Sequence, residues 1–237
     1  MTQPRSQLIY RDFECTSPPP RATVILMHGH GGHHDDLVPL GRSLGADVGL
    51  VICEAPRATY FGRDTVAHYW YIGERCGRPD PPTFGDCLFQ VEQFVLDVLE
   101  RRDGGPLPYL LGFDQGAVLA LAATKVIPDR LAGVMAVCGY LPEIQEAPLP
   151  VSELDGLPVI DINDPDDAAV SAALIDRTST RLTHDGASIE SVSLSGAREL
   201  GPGVQQALRD WLAARTDDGD ERSVPDHAAG RSEEPGL

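Results

Sequence analysis

The chain is short of positive charge. Of its 237 residues, 19 are Lys or Arg and 36 are Asp or Glu, so the formal net charge is −17. Lys125 is the only lysine in the sequence. Nucleic acids and anionic membrane surfaces are densely negative, so neither is an expected partner of this protein. The acidity itself is typical of a well-solvated protein surface.

Long apolar runs and paired cysteines are also missing. No run approaches the ~18 apolar residues needed to span a bilayer, and no apolar segment follows the N-terminus as it does in a signal peptide. The five cysteines are scattered without a Cys-x-x-Cys pair, which favours reduced thiols over a disulfide framework or a zinc site. We therefore expect a cytoplasmic protein without membrane contact and without a cofactor.

Apolar runs alternate with helical patterns along most of the chain. Continuous apolar runs predict buried strands, and apolar residues three to four positions apart predict helices. The predicted strands are 6–15 (an edge strand), 22–27, 48–53, 107–113, 131–138, 158–162 and 189–194, and the predicted helices are 37–44, 84–101, 115–126, 168–182 and 204–214. Residues 54–82 are predicted to be a long irregular excursion, and excursions of this length usually serve function.

This alternation predicts a single-domain α/β fold with a mostly parallel central sheet flanked by helices. Residues 1–20 would form the N-terminal edge strand and a proline-rich linker, and residues 21–215 the folded domain. The remaining residues, 216–237, are polar, acidic and rich in Gly and Pro, so we expect a disordered tail.

The most informative motif is the segment 111–117, which reads LGFDQGA. It lies between an apolar strand and an apolar helix, and it has the small-x-nucleophile-x-small pattern of a nucleophile elbow. In that motif, a sharp strand-to-helix turn lifts a serine oxygen above the sheet. Here the lifted residue is Asp114. Aspartate tolerates the positive φ of such a turn better than most residues do.

Several segments together resemble the phospholipase/carboxylesterase (acyl-protein-thioesterase-like) family of α/β-hydrolases. They are 24–32 (VILMHGHGG), 36–40 (DLVPL), 55–57 (APR), 69–71 (YWY), 112–116 (GFDQG) and 138–142 (CGYLP). Their order and spacing are specific, and the similarity runs from about residue 22 to about residue 214. The resemblance implies the α/β-hydrolase fold. It also implies an oxyanion hole made by the backbone N–H groups of His30 and Gln115.

The resemblance also locates the other two members of the family's catalytic triad. Asp167 matches the triad acid, with Asp166 as an alternative, and Arg198 stands at the position of the histidine base. A serine hydrolase needs a hydroxyl nucleophile and a base, and an arginine stays protonated near neutral pH. We therefore predict an ion pair between Asp114 and Arg198, with the guanidinium bridging to Asp167 as well.

The histidine-rich loop, residues 28–36, suggests a metal site at first sight, with ligands drawn from His30, His33 and His34. The resemblance favours an oxyanion-hole loop instead, so no metal is expected. Either His30 or Asp114 could then act on a proton of the substrate. His68 and its aromatic neighbours could either contact a substrate or pack within the loop. The candidate substrate contacts are His28, His33, His68 and Trp70.

Three functions remain open from the sequence. The first is an enzyme with altered chemistry on a small ester- or carbonyl-containing substrate, using Asp114 and the oxyanion hole. The second is a catalytically inactive, hydrolase-derived protein that binds a small molecule. The third is an ordinary carboxylesterase with an unplaced base. A closed Asp114–Arg198–Asp167 bridge would favour the second function, and an open pocket the first. A homodimer is compatible with all three.

Overall fold

The computed structural model describes residues 6–15, 19–61, 65–73, 78–102, 105–146 and 148–216. The predicted tail, apart from its first residue, lies outside these ranges. No helix among the described residues is both long enough and apolar enough to cross a membrane.

Seven strands form one sheet in the order β1-β3-β2-β6-β7-β8-β9. Their bounds are β1 Tyr10–Phe13, β2 Ala22–Met27, β3 Val48–Cys53, β6 Tyr109–Phe113, β7 Gly133–Val137, β8 Pro158–Asn163 and β9 Ser188–Ser193. The strand β1 is antiparallel to β3, and every other pairing in the sheet is parallel. The predicted mostly parallel α/β sheet, with its N-terminal edge strand, is confirmed.

Five helices cover the two faces of this sheet. They are α1 Val38–Ser43, α2 Pro81–Arg101, α3 Gln115–Ala123, α4 Ala172–His184 and α5 Pro202–Thr216. The helices α2, α3 and α4 pack on one face, and α1 and α5 pack on the other. Strands covered on both faces must be apolar throughout, which explains why β2 and β3 are completely buried.

The structure corrects the predicted excursion at residues 54–82. This segment contains a two-stranded antiparallel hairpin of β4 (Arg57–Phe61) and β5 (Thr65–Tyr69). The helix α4 begins four residues later than predicted, at Ala172. The reason is local, because Asp164 and Asp167 each accept a backbone N–H two residues further on and so hold the preceding segment in turns.

The carboxyl ends of the parallel strands meet at one edge of the sheet. The histidine-rich loop follows β2, Glu54 follows β3, Asp114 follows β6, and the turns that contain Asp167 follow β8. In open α/β sheets this edge is where ligands bind. The predicted site residues are therefore brought to one end of the molecule by the topology itself.

Candidate active site

Asp114 occupies a sharp turn between β6 and α3. Its φ and ψ are 52° and −116°, its N–H donates to Val137 O at 3.0 Å, and α3 begins at the next residue. Glycines on either side make this turn feasible. A Cβ on Gly112 would lie 2.2 Å from Gly116 O, and a Cβ on Gly116 would lie 2.1 Å from Met27 O. Side chains are excluded at both positions because the backbones of β2, β6 and α3 approach so closely.

Arg198 bridges two carboxylates. Its Nη2 donates to Asp114 Oδ1 at 2.7 Å, and its Nη1 donates to Asp167 Oδ2 at 2.5 Å. Arg198 lies in a single 3₁₀ turn, Ala197–Glu199, whose two ends are held by left-handed residues at Gly196 and Leu200. The structure thus brings together Asp114, Arg198 and Asp167, whose pairing was predicted from the family resemblance and from their charges. Among the described contacts, Asp166 makes none to Arg198, so Asp167 is the acid in this arrangement.

The bridge is buried and strongly polar. Asp114 is 2% exposed and the Asp167 side chain 4%, whereas the Arg198 side chain keeps 23% of its surface in solvent. Burial alone would lower the pKa of Arg198. The hydrogen bonds and charges of Asp114 and Asp167 outweigh burial and raise that pKa above its already high ordinary value. Arg198 therefore stays charged and cannot take a proton from another group.

The carboxylate of Asp114 also reaches into the predicted oxyanion hole. The N–H of His30 donates to Asp114 Oδ2 at 2.9 Å. The other predicted donor, the N–H of Gln115, lies in the first turn of α3, where N–H groups have no partner within the helix. One of the two predicted donors is therefore taken by the protein's own carboxylate, and both oxygens of Asp114 are hydrogen-bonded.

Two of the expected substrate contacts are instead part of the core. Trp70 is completely buried, its backbone N–H donates to Gln115 Oε1, and its indole N–H donates to His28 O. His28 is buried beside it and accepts the N–H of Ala55 at Nε2. Burial lowers the pKa of His28 to about 4, although a hydrogen bond to Gly29 opposes this shift. Both side chains thus support the loops around the site rather than face a substrate.

The other two expected contacts, His33 and His68, lie beside Glu54. His33 Nε2 is 2.9 Å from Glu54 Oε2, and His68 Nε2 is 3.6 Å from Glu54 Oε1. The sequence reasoning did not single out Glu54. Its position directly after a buried parallel strand was the available signal, because that position puts its side chain at the ligand-binding edge of the sheet.

The fold is that of an α/β-hydrolase. The chain superposes on the carboxylesterase of Bacillus cereus with a TM-score of 0.75 at 15% identity, over 88% of this chain and 95% of the other. The carboxylesterase of Mesorhizobium loti gives 0.73 at 19% identity, over 87% and 94%. YahD, described with malic acid, gives 0.72 at 17% identity, over 87% and 98%. At these identities the likeness concerns the fold.

One part of the sequence also resembles a family. Residues 109–209 match the model of the Phospholipase/Carboxylesterase family. The matched segment includes Asp114, Asp167 and Arg198. No curated protein matches the chain significantly in sequence. The likeness to phospholipases and carboxylesterases in sequence thus covers less than half of the chain, in the part that holds the bridge.

Proposed function

We propose that this chain is a non-hydrolytic α/β-hydrolase of the phospholipase/carboxylesterase type, which binds a small molecule where its relatives cleave one. The observation that carries the proposal is the double engagement of Asp114. One of its oxygens is held by Arg198 and the other by the N–H of His30. An attacking group and a free oxyanion donor are both needed for acyl transfer, and here the same side chain occupies both places.

The absence of a nearby base supports this proposal. Among the described residues, no histidine ring is hydrogen-bonded to Asp114, Asp167 or Arg198. The ring of His30 lies against Tyr69, with ring centroids 5.9 Å apart. The guanidinium of Arg198 remains protonated. In the described residues, no general base is therefore placed to activate a nucleophile or to release an ester formed on Asp114.

The solvent-facing rim of the site indicates the kind of molecule that binds. The rim consists of the partly exposed side chains of His30, Tyr69 and Arg198. The three charged groups of the bridge sum to −1, because one guanidinium faces two carboxylates. A third carboxylate would add to that negative charge, so a dicarboxylate such as the malic acid described with YahD is not the expected ligand. We expect a neutral or cationic small molecule instead.

An enzyme with altered chemistry is the second candidate. The observation in its favour is the strained backbone of Asp114, since positive φ at a residue other than glycine persists mainly where function keeps it. In this second function Asp114 forms an ester with part of the substrate, and water must later hydrolyse that ester. Mass spectrometry after incubation with small esters would detect such an adduct on the peptide that contains Asp114.

Rebuilding the triad tests the first proposal. We expect the natural chain to leave p-nitrophenyl acetate intact and to escape labelling by fluorophosphonate probes. The double variant D114S/R198H restores both a hydroxyl and a base beside Asp167, and we expect it to gain esterase activity and probe labelling. The single variants D114S and R198H are the matched controls and should stay inactive. Hydrolysis by the natural chain that disappears in D114N would overturn the proposal.

A further inference from the structure

A second polar cluster lies beside the site, where the histidine-rich loop meets the end of β3. The rings of His33 and His34 stack with their centroids 3.9 Å apart. One edge of this ring pair faces Glu54, and the other faces Asp35. Nothing in the proposed function uses this cluster, and its residue types are those that bind transition-metal ions.

Glu54 contacts both rings on the edge that faces away from Asp35. Its Oε2 lies 2.5 Å from His34 Nδ1 and 2.9 Å from His33 Nε2. A carboxylate at these two distances accepts a hydrogen bond from each ring. The protons of the two rings are therefore drawn to the nitrogens that face Glu54.

The opposite nitrogens are then unprotonated, and the one of His33 accepts the N–H of Asp35 as a helix cap. His34 Nε2 is buried and has no hydrogen-bond partner, in a side chain that is 8% exposed. His33 Nδ1 receives only a long contact from the N–H of Asp35, at 3.3 Å, which agrees with an unprotonated nitrogen. A buried polar atom without a partner is costly. A ligand bound at His34 Nε2 would offset this cost.

His33, His34 and Asp35 come together. Each of the three offers a ligand atom that lies within 4.8 Å of the other two. Asp35 Oδ1 is 3.4 Å from His34 Nε2, and Asp35 Oδ2 is 3.7 Å from His33 Nδ1. Half of the Asp35 side chain is exposed, so solvent reaches the cluster and can supply a fourth ligand. Arg11 opposes a cation here, because its Nη1 lies 3.0 Å from Asp35 Oδ1.

We propose that His33, His34 and Asp35 bind a divalent zinc ion, with Glu54 as the positioning carboxylate behind both histidines. Two imidazoles, one carboxylate and water make a common zinc ligand set. A carboxylate that accepts the second N–H of a zinc-bound imidazole orients the ring and raises its basicity. All three ligands belong to the loop after β2, and none of them is hydrogen-bonded to Asp114 among the described contacts.

Calorimetric titration of the untagged full chain with ZnCl₂, after treatment with a chelator, tests the proposal. We expect binding of one equivalent, and with Co²⁺ the intense visible absorption of a four-coordinate ion. H33Q and H34Q should abolish both signals. H184Q is the matched control, because His184 is an exposed histidine that also contacts an aspartate, and it should bind as the natural chain does.

Two further variants examine the roles of Glu54 and Arg11. E54Q should weaken zinc binding about 10- to 100-fold, and R11Q should strengthen it by removing the competing charge. If H34Q proves unfolded by circular dichroism, the exposed His33 decides the matter through H33Q. The proposal is overturned if the natural chain takes up no zinc, or if H33Q binds zinc as tightly as the natural chain does.

Discussion

Replacing Arg198 by Met should destabilise the fold strongly at neutral pH. The change keeps an unbranched, flexible side chain but removes the guanidinium, whose carbon lies 5.6 Å from the centroid of the Phe113 ring. It leaves Asp114 and Asp167 buried without a positive charge between them. Two carboxylates roughly 5 Å apart repel by about 3 kcal/mol at an effective dielectric constant of about 20.

The expected loss agrees with what is known of broken ion pairs. Removal of one partner from a buried pair costs about 3 to 5 kcal/mol. Arg198 is partly exposed, so we expect the lower end, about 3 kcal/mol in the free energy of unfolding. Asp114→Asn should cost only about 1 kcal/mol, because Asp167 still pairs with Arg198. The double variant D114N/R198M should recover about 2 kcal/mol of the loss, because only one buried carboxylate remains.

Urea unfolding followed by tryptophan fluorescence measures all four chains of this cycle. R215M is the matched control, since Arg215 also lies over an aromatic ring, but it donates to the backbone oxygen of Trp211 and pairs with an exposed carboxylate, that of Glu190 at 3.9 Å. It should cost at most about 1 kcal/mol. The reasoning is refuted if R198M is as stable as R215M, or if D114N/R198M is no more stable than R198M alone.

The remaining predictions concern two buried titratable groups. The pKa of His28 falls from 6.5 to about 4 on folding, so the free energy of unfolding should decline as the pH drops from 6.5 to about 4, by up to about 3 kcal/mol. H28Q should reduce this decline. Equal free energies of unfolding for the natural chain at pH 7 and pH 5, measured with urea, would contradict the prediction. Burial raises the pKa of Asp161 from 3.8 to about 7, although a contact with Asn163 opposes the shift, and neither oxygen of Asp161 has a partner. Stability from this group is lost as the pH rises through 7. The free energy of unfolding of D161N, measured with urea at pH 8, should therefore exceed that of the natural chain by up to about 4 kcal/mol, with a smaller gain at pH 5. A D161N variant less stable than the natural chain at pH 8 would refute this prediction.

The sequence is informative about the sheet and the bridge because local patterns determine both. Strands buried on two faces must be apolar throughout, so runs such as 22–27 and 48–53 were located at their observed bounds. The bridge follows from charge, because a buried carboxylate at position 114 needs a cation and Arg198 stands where the elbow's partner belongs. The family resemblance, which puts Arg198 at the position of the histidine, together with charge was enough to predict that Asp114 and Arg198 would meet.

The surroundings of the bridge depend on packing, which a single sequence does not reveal. Trp70 and His28 look like ligand contacts beside a catalytic motif, yet tertiary contacts bury both. The hairpin β4–β5 was not predicted because its sequence lacks a clear apolar alternation and it lies outside the central sheet; beyond its own pairing, an isolated bridge joins His68 to Gly32. The position of Glu54 depends on two histidines of the loop after β2 and one of β5 meeting one carboxylate, and no spacing along the chain encodes that meeting.

The bridge also explains why changing one residue alone should not return this chain to esterase chemistry. In D114S the hydroxyl would lie beside a guanidinium that stays protonated, so no group could take its proton. In R198H the imidazole would lie between two buried carboxylates, which favour its charged form, and a charged imidazole cannot act as a base. Only the joint change removes one carboxylate and supplies a base at once. If the proposed non-hydrolytic function is right, esterase activity therefore requires both substitutions, because each natural residue prevents the other substitution from acting alone.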